Sequence, residues 1–399
     1  MIRRRVLHGG AALVACALAS SPQYRYGEIS LSEAELLRLE AAVTRARGIY
    51  RAARPDAVGA ADTVLVTSFN AAYFTFFANW ACHVERLGLR YLAWPQDAHA
   101  AGLVERFLEP DGHGRFGTLF FSEGVTGTLD VPTAEATFRQ PAFNQMSVFK
   151  LVIVHVLLQS ARVNVWFSDV DIVFVADPWP AFRHRQACDY EFQPNSRDYD
   201  GAGEGNTGFH KFKSSAPTLD ALKLVLADAS RRPDIDDQTI FWSRWNALPN
   251  RVVVPLDASD AVASLVEAER APSLRICPLP IRRFPSGDLL RSGNLSDAVI
   301  VHANFRKGET RKRKILTTLG LWMLTEETRC QVGWPSGALS LTRRRPTRRH
   351  AEEKPGPRRH LVIAIMAAGA LPLLAIARCR RRPEHPAAAP ALEPQEPAV

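Results

Sequence analysis

Along residues 61–335, apolar positions follow two alternating rhythms. Short β-branched runs are separated by longer stretches in which apolar residues recur every three or four positions. Thr63-Val64-Leu65-Val66-Thr67-Ser68 predicts a buried strand, and Asn70 opens a predicted helix to about Leu87 that is aromatic on one side. Arg90-Tyr91-Leu92-Ala93-Trp94 predicts a second strand, ended by Pro95, and residues 117–121 a third. A helix is predicted over 145–160, then strands over 164–167 and 171–175. Upstream, Ser32 followed by Glu35 is a capping-box signature opening a helix to about Tyr50. Strands alternating with helices predict an α/β fold, a mostly parallel sheet with helices on both faces. Ligands of such sheets bind beyond the carboxyl ends of the strands, which is where chemistry is to be sought.

The ends of the chain have a different pattern. Arg3-Arg4-Arg5 precedes an apolar run to Ala17-Leu18-Ala19, which predicts a signal peptide or signal anchor over 1–21. Residues 361–377 are apolar without a charge and are followed by Arg378, Arg380, Arg381 and Arg382, as in a membrane span with a basic stop. Between these lie a predicted stem over 22–60, the α/β domain over 61–335 and an Arg/Pro-rich linker over 336–360, with a Pro/Ala-rich tail over 378–399.

The formal charge of +9 belongs mostly to these ends. Three Arg sit in residues 1–5 and a net +10 in 343–382, with three Glu after them, so the body between is nearly neutral. That distribution fits membrane flanks and argues against a nucleic-acid partner. The expected placement is a Golgi or other secretory-pathway membrane with the body lumenal. Asn294-Leu295-Ser296 is a permitted glycosylation sequon there. Of the six cysteines, Cys82, Cys188, Cys277 and Cys330 lie in the body without a CxxC pair, so a zinc site is not expected. One or two disulfides and buried free thiols are both open readings.

Two carboxylates interrupt the apolar run Val165-Trp166-Phe167-Ser168-Asp169-Val170-Asp171-Ile172-Val173-Phe174. Burying an unpaired charge is costly, so either the strand ends at Asp169 or the charges have a counter-ion. Spacing of two puts both side chains on one side of an extended segment, where oxygen ligands suit a hard divalent cation. An Asp-rich turn between two strands is the competing reading.

This segment resembles the Asp-x-Asp region of nucleotide-diphospho-sugar transferases with the GT-A (Rossmann-like) fold, and more narrowly glycosyltransferase family 77. Further motifs of that likeness follow in order: Thr67-Ser68-Phe69-Asn70 with Asn79-Trp80, Lys150, Asp177-Pro178, Asn206-Thr207-Gly208-Phe209 and Asp237-Gln238. Phe284-Pro285-Ser286-Gly287, Val301-His302-Ala303-Asn304 and Gly320-Leu321-Trp322 close the series, so the likeness spans 63–322.

The resemblance implies a metal-dependent retaining enzyme that moves a sugar from a UDP-sugar to a glycan or glycoprotein acceptor. It implies Asp169 and Asp171 as ligands of Mn²⁺ (or Mg²⁺), with His302 as a third ligand or else a hydrogen-bonded strand-end histidine. Thr67, Ser68 and Asn70 would meet the nucleotide, or serve only as strand exit and helix cap. Lys150 would reach the diphosphate or cap the exposed side of its helix. Lys307 would touch phosphate, while Arg311 to Lys314 are expected to form a solvated face. Asn206, Thr207 and Gly208 would face the transferred sugar, beside a mobile Gly-rich approach over 201–205. Asp237 and Gln238 are placed near the anomeric carbon as the catalytic pair, or form a helix-start capping arrangement. The competing functional reading is a catalytically inactive carbohydrate-binding or scaffold relative.

Overall fold

The computed structural model describes residues 26, 29–50, 59–109, 116–125, 132–182, 188–195, 204–254, 274–287, 290 and 295–331. The predicted targeting segment, the basic linker, the 361–377 run and the tail lie outside the described residues, as do Asn294 and residues 201–203 of the Gly-rich approach. Every described residue belongs to the unit Met1–Arg343.

The chain runs α1 (Glu33–Ala46), β1 (Thr63–Thr67), α2 (Phe74–Arg86), β2 (Tyr91–Ala93), α3 (Ala98–Leu108), β3 (Gly117–Leu119), α4 (Pro141–Val156), β4 (Asn164–Ser168), β5 (Ile172–Phe174). It continues β6 (Tyr190–Pro194), β7 (Gly205–Phe212), α5 (Ala216–Arg231), α6 (Asp237–Asn246), β8 (Arg251–Val253), β9 (Leu274–Pro278), β10 (Ile300–His302), α7 (Glu309–Thr318). Eight strands form one sheet in the order β3-β2-β1-β4-β7-β6-β9-β8. The β3-β2-β1-β4 half is parallel throughout, its crossovers carrying α2, α3 and α4. Strand β7 runs antiparallel to both neighbours, β4 and β6, and β6-β9-β8 is parallel again. The mostly parallel α/β prediction therefore holds. One detail departs from it: β5 leaves the sheet and pairs antiparallel with β10 in a separate ribbon.

Strand β1 is buried at all five positions, because helices cover both faces of the sheet. Leu65 points into one core with Phe77 and Trp80 of α2, Trp166 of β4 and Val301 of β10. Val64 and Val66 point the other way, toward Phe149 and Val152 of α4 and Phe241 and Trp245 of α6. Helix α4 and the π turn after it, Pro141–Ala161, are long and apolar enough to cross a membrane, yet 72% of the most apolar window is buried inside the fold. It is a central core helix.

Helix α1 begins with the predicted capping box, Ser32 and Glu35 bonding each other's backbone N–H. It does not stand apart as a stem. Leu39, Ala42, Val43 and Ala46 are buried in the same core as β1 and α4, because its apolar stripe finds cover there.

All four body cysteines are paired, as Cys82–Cys330 and Cys188–Cys277. The first ties the segment after α7 to α2. Asn79 repeats that tie, donating to the Leu321 carbonyl (3.3 Å) and accepting from the Met323 N–H (2.7 Å). Its neighbour Trp80 donates Nε1–H to Ser168 Oγ at 3.0 Å, bracing the end of β4 where the acidic pair begins.

Candidate metal centre and donor site

Strand β4 ends at Ser168, and the chain turns at Asp169-Val170-Asp171 before β5. The Asp169 N–H donates to the Gly208 carbonyl at 2.6 Å, and the Ile172 N–H to the Asp169 carbonyl at 3.3 Å. The pair therefore does not lie on an extended segment, as the spacing suggested. A turn brings the two carboxylates together. Asp171 is 5% exposed, whereas the Asp169 side chain keeps 32% of its surface and faces outward.

The β5–β10 ribbon supplies the third member. Its register sets His302 opposite Ile172, and the Ala303 N–H donates to the Asp171 carbonyl at 3.0 Å. His302 Nε2 thereby lies 3.2 Å from Asp171 Oδ1. Asp169, Asp171 and His302 each offer a ligand atom, and these atoms lie within 4.8 Å of one another.

The imidazole is oriented by a residue that the sequence did not single out. Gln193, buried at the end of β6, donates its amide N–H groups to the carbonyls of Phe284 (3.0 Å) and Pro285 (2.9 Å). Those bonds fix which end of the carboxamide is oxygen, and that oxygen lies 2.8 Å from His302 Nδ1. Nδ1 is thus the N–H, and in the neutral ring Nε2 turns its lone pair toward Asp171. Two acceptors facing each other need a shared cation, either a second ring proton or a metal. Carboxylate oxygens with an imidazole nitrogen suit Mn²⁺, so the residues present fit the implied ion.

Two lysines balance the carboxylates. Lys150, from α4, lies 2.9 Å from Asp237 Oδ2 and 3.8 Å from Asp169 Oδ2. It does not cap the exposed side of its helix; it is buried. Burial alone would push its ammonium down, but Asp169 and Asp237 hold it above the ordinary lysine value. Lys312, from α7, lies 2.9 Å from Asp171 Oδ2. The expectation of a solvated face over Arg311 to Lys314 fails at this one position, while its neighbours Arg311, Arg313 and Lys314 are exposed. One turn later Leu316 is the buried residue of α7, so the same helix face turns Lys312 inward. Burial would push Asp171 up, yet Lys312 and His302 hold it far below the usual carboxylate range. Asp169 moves the other way, raised by burial and by the Asp171 charge against the pull of Lys150.

Asp237 begins α6 and is buried, with Oδ2 accepting from Thr207 Oγ1 at 2.7 Å as well as from Lys150. Capping of that helix falls to Asp236, whose side chain accepts from the Thr239 N–H. Asn206 is turned by its own strand: its carboxamide oxygen accepts from the Gly208 N–H at 2.7 Å. At Gly208 an added Cβ would come within 2.2 Å of Asp169 Oδ2, so only glycine lets β7 lie against the acidic turn. Gln238, half-buried, lies 3.5 Å from Glu204.

At the end of β1, Ser68 Oγ accepts from Gln96 at 3.1 Å. Asn70 makes no cap bond; its amide donates to the carbonyls of Pro132 (2.7 Å) and Ala134 (2.9 Å), and Asp97 takes the Ala71 N–H instead. Thr67 Oγ1, Asn70 Oδ1 and Gln96 Oε1 are buried without a hydrogen-bond partner among the described residues. Lys307 is exposed, and the structure brings it to none of these groups. The acidic turn, His302, Lys150, Asp237 and the Asn206-Thr207-Gly208 strand thus converge on one site. Gln193 and Lys312 join it without having been anticipated, and Gln96, equally unanticipated, meets Ser68 at the end of β1.

A parallel-led α/β sheet with an acidic turn after β4, a late histidine and two buried lysines is in keeping with the resemblance to nucleotide-sugar transferases. Residues 119–316 match the family model described as nucleotide-diphospho-sugar transferase, a stretch that includes Lys150, the acidic turn, Asp237, His302 and Lys312. That match covers just under half of the chain and supports a glycosyltransferase. No curated protein matches it.

Among solved structures, it is similar to glycosyltransferase GlyE of Streptococcus pneumoniae TIGR4. Identity there is 13% with a TM-score of 0.36, covering 69% of this chain and 66% of that one. The apo form of GlyE gives 12% and 0.32, covering 60% and 54%. The galactosyltransferase LgtC, solved with donor and acceptor sugar analogues, gives 11% and 0.35, covering 66% and 98%. The chain thus spans just under two thirds of the GlyE chains or less, and likenesses this distant carry no argument about its substrates.

Proposed function

We propose that this protein is a metal-dependent, retaining glycosyltransferase that moves a sugar from a UDP-sugar to a glycan or glycoprotein acceptor. The observation that carries the reading is the convergence of Asp169, Asp171 and His302, with the His302 lone pair aimed by Gln193. These three residues would hold Mn²⁺ or Mg²⁺. The bound ion supplies Lewis-acid neutralisation of the charge that develops on a departing diphosphate.

The chain's own groups do the rest. Lys150 stands between Asp169 and Asp237 and offers a fixed ammonium to a phosphate oxygen. Thr207 and Lys150 together hold the Asp237 side chain in place, so its carboxylate would meet positive charge developing at the anomeric carbon. Gln238, next on the same helix, would present its carboxamide to the sugar or the acceptor. The unpartnered hydroxyl of Thr67 and carboxamide oxygens of Asn70 and Gln96 complement the N–H and O–H groups of a base and ribose. Retention is taken from the family likeness of the motifs.

Two disulfides in the body support an oxidising compartment, in keeping with a lumenal catalytic domain on a secretory-pathway membrane.

The test is hydrolysis of a panel of UDP-sugars by the full-length protein, with and without Mn²⁺, beside Asp169→Ala and Asp171→Ala. We expect one donor to be hydrolysed, only with metal, and each substitution to abolish turnover. A folded protein that neither turns over any donor nor binds UDP with Mn²⁺ present would refute this and favour a scaffold role.

A further inference from the structure

Resting on the metal-site reading above, we infer that Lys312 is an internal counter-ion that competes with the divalent cation for Asp171, so that metal and nucleotide bind this site cooperatively.

Both oxygens of Asp171 are engaged: Oδ1 faces His302 Nε2 at 3.2 Å, and Oδ2 holds Lys312 Nζ at 2.9 Å. The Lys312 side chain is only 18% exposed, so this is a largely desolvated pair and not a surface contact. Three carboxylates, Asp169, Asp171 and Asp237, face two ammonium groups, Lys150 and Lys312. The site is therefore already close to balanced before any ion enters. A dication taking up Asp171 arrives beside an ammonium that has no other carboxylate among its ion pairs in the described residues. Like charges at that range in a poorly solvated site repel strongly.

The repulsion has an outlet. Lysine carries its charge on a flexible stem, and Lys312 Nζ also lies 5.7 Å from the centre of the Tyr73 ring, just before α2. A diphosphate entering with the metal brings the negative charge that the displaced ammonium needs. Metal alone is thus opposed, and metal with diphosphate is favoured. By linkage, each ligand tightens the other by the same factor.

This differs from a lysine that simply touches phosphate. Removing such a lysine weakens nucleotide binding and leaves the metal alone unaffected. Removing a competitor strengthens binding of the metal alone.

The experiment uses full-length protein and follows free Mn²⁺ by its aqueous EPR signal, with and without UDP, for the wild type, Lys312→Gln and Lys312→Arg. We expect UDP to tighten wild-type Mn²⁺ binding about tenfold or more. In Lys312→Gln, Mn²⁺ alone should bind about tenfold more tightly than to the wild type, with the UDP effect reduced. Lys312→Arg, which keeps a cation on Asp171, should bind Mn²⁺ alone no more tightly than the wild type. Unchanged or weaker Mn²⁺ binding by folded Lys312→Gln overturns the inference. If that variant does not fold, tighter Mn²⁺ binding by Lys312→Arg overturns it. A wild type that binds Mn²⁺ and UDP without mutual effect also overturns it, whereas a wild type that binds neither overturns the transferase reading itself.

Discussion

Gln193 and His302, 109 positions apart in the chain, are joined by a 2.8 Å hydrogen bond from imidazole Nδ1 to the carboxamide oxygen. The carbonyls of Phe284 and Pro285 set the amide, the amide sets the tautomer, and the tautomer leaves Nε2 free toward Asp171. Partners of this kind around a metal-ligating histidine typically govern affinity by 10- to 100-fold. Gln193→Met keeps the volume and removes the acceptor. It should weaken Mn²⁺ binding in the presence of UDP by about that factor. Wild-type affinity in the variant would show that the bond does not orient a ligand.

Gly208 tests the packing of β7 against the acidic turn. In Gly208→Ala the new methyl would fall 2.2 Å from Asp169 Oδ2 and 2.8 Å from Asn206 Oδ1, so Asp169 must move. A displacement of about 1 Å at a reacting centre costs roughly 100-fold in rate. We expect a loss of that order in kcat, with the far-ultraviolet circular dichroism unchanged. Full activity would mean that Asp169 tolerates displacement and is not a precisely held ligand.

His83 gives a pH dependence of stability. It is buried on α2, where its Nε2–H donates to the Leu321 carbonyl at 2.9 Å, and burial lowers its pKa to about 3. The folded state keeps the ring neutral, while the unfolded chain takes up a proton near pH 6.5. The stabilisation is therefore complete above about pH 6.5 and is lost as the pH falls toward 3, at up to about 1.4 kcal/mol per pH unit. Thermal unfolding between pH 7.5 and 5 should show a falling Tm whose slope is shallower in His83→Gln. Identical slopes would assign the acid sensitivity elsewhere.

The Cys82–Cys330 bridge, 248 positions apart in sequence, holds the closing segment on α2. Replacing both cysteines with serine should cost about 2–5 kcal/mol in unfolding free energy, measured by urea titration. The Asn79 and His83 bonds to Leu321 and Met323 remain, so the variant should still fold. A loss under about 0.5 kcal/mol would mean that those bonds suffice.

Much of this protein was legible along the chain. The runs at 63–67, 91–93 and 164–168 became parallel strands, because continuous β-branched and aromatic stretches of that length can be buried only between two helical layers. The capping box at Ser32 is a local device and survived intact. The acidic pair stood out because charges inside an apolar run require an explanation wherever they end up. Lys312 was hidden inside a uniformly basic run, where charge alone distinguishes no position; its signal was Leu316, one turn away on the same face. Gln193 had no signal at all, since a lone polar residue in a strand acquires a role only from what lies opposite it.

By itself, then, the sequence determined the elements, the class of sheet and the residue types of a candidate metal site, because helix and strand periods and buried charge are local properties. Tertiary structure alone decided the rest. It made the acidic segment a turn and not a strand, drew α1 into the core, and paired β5 with β10 so that His302 stands beside Asp171. It also chose one lysine from a cluster as the counter-ion. Those outcomes depend on contacts between positions in different elements of the fold, and no period along the chain encodes which of them will meet.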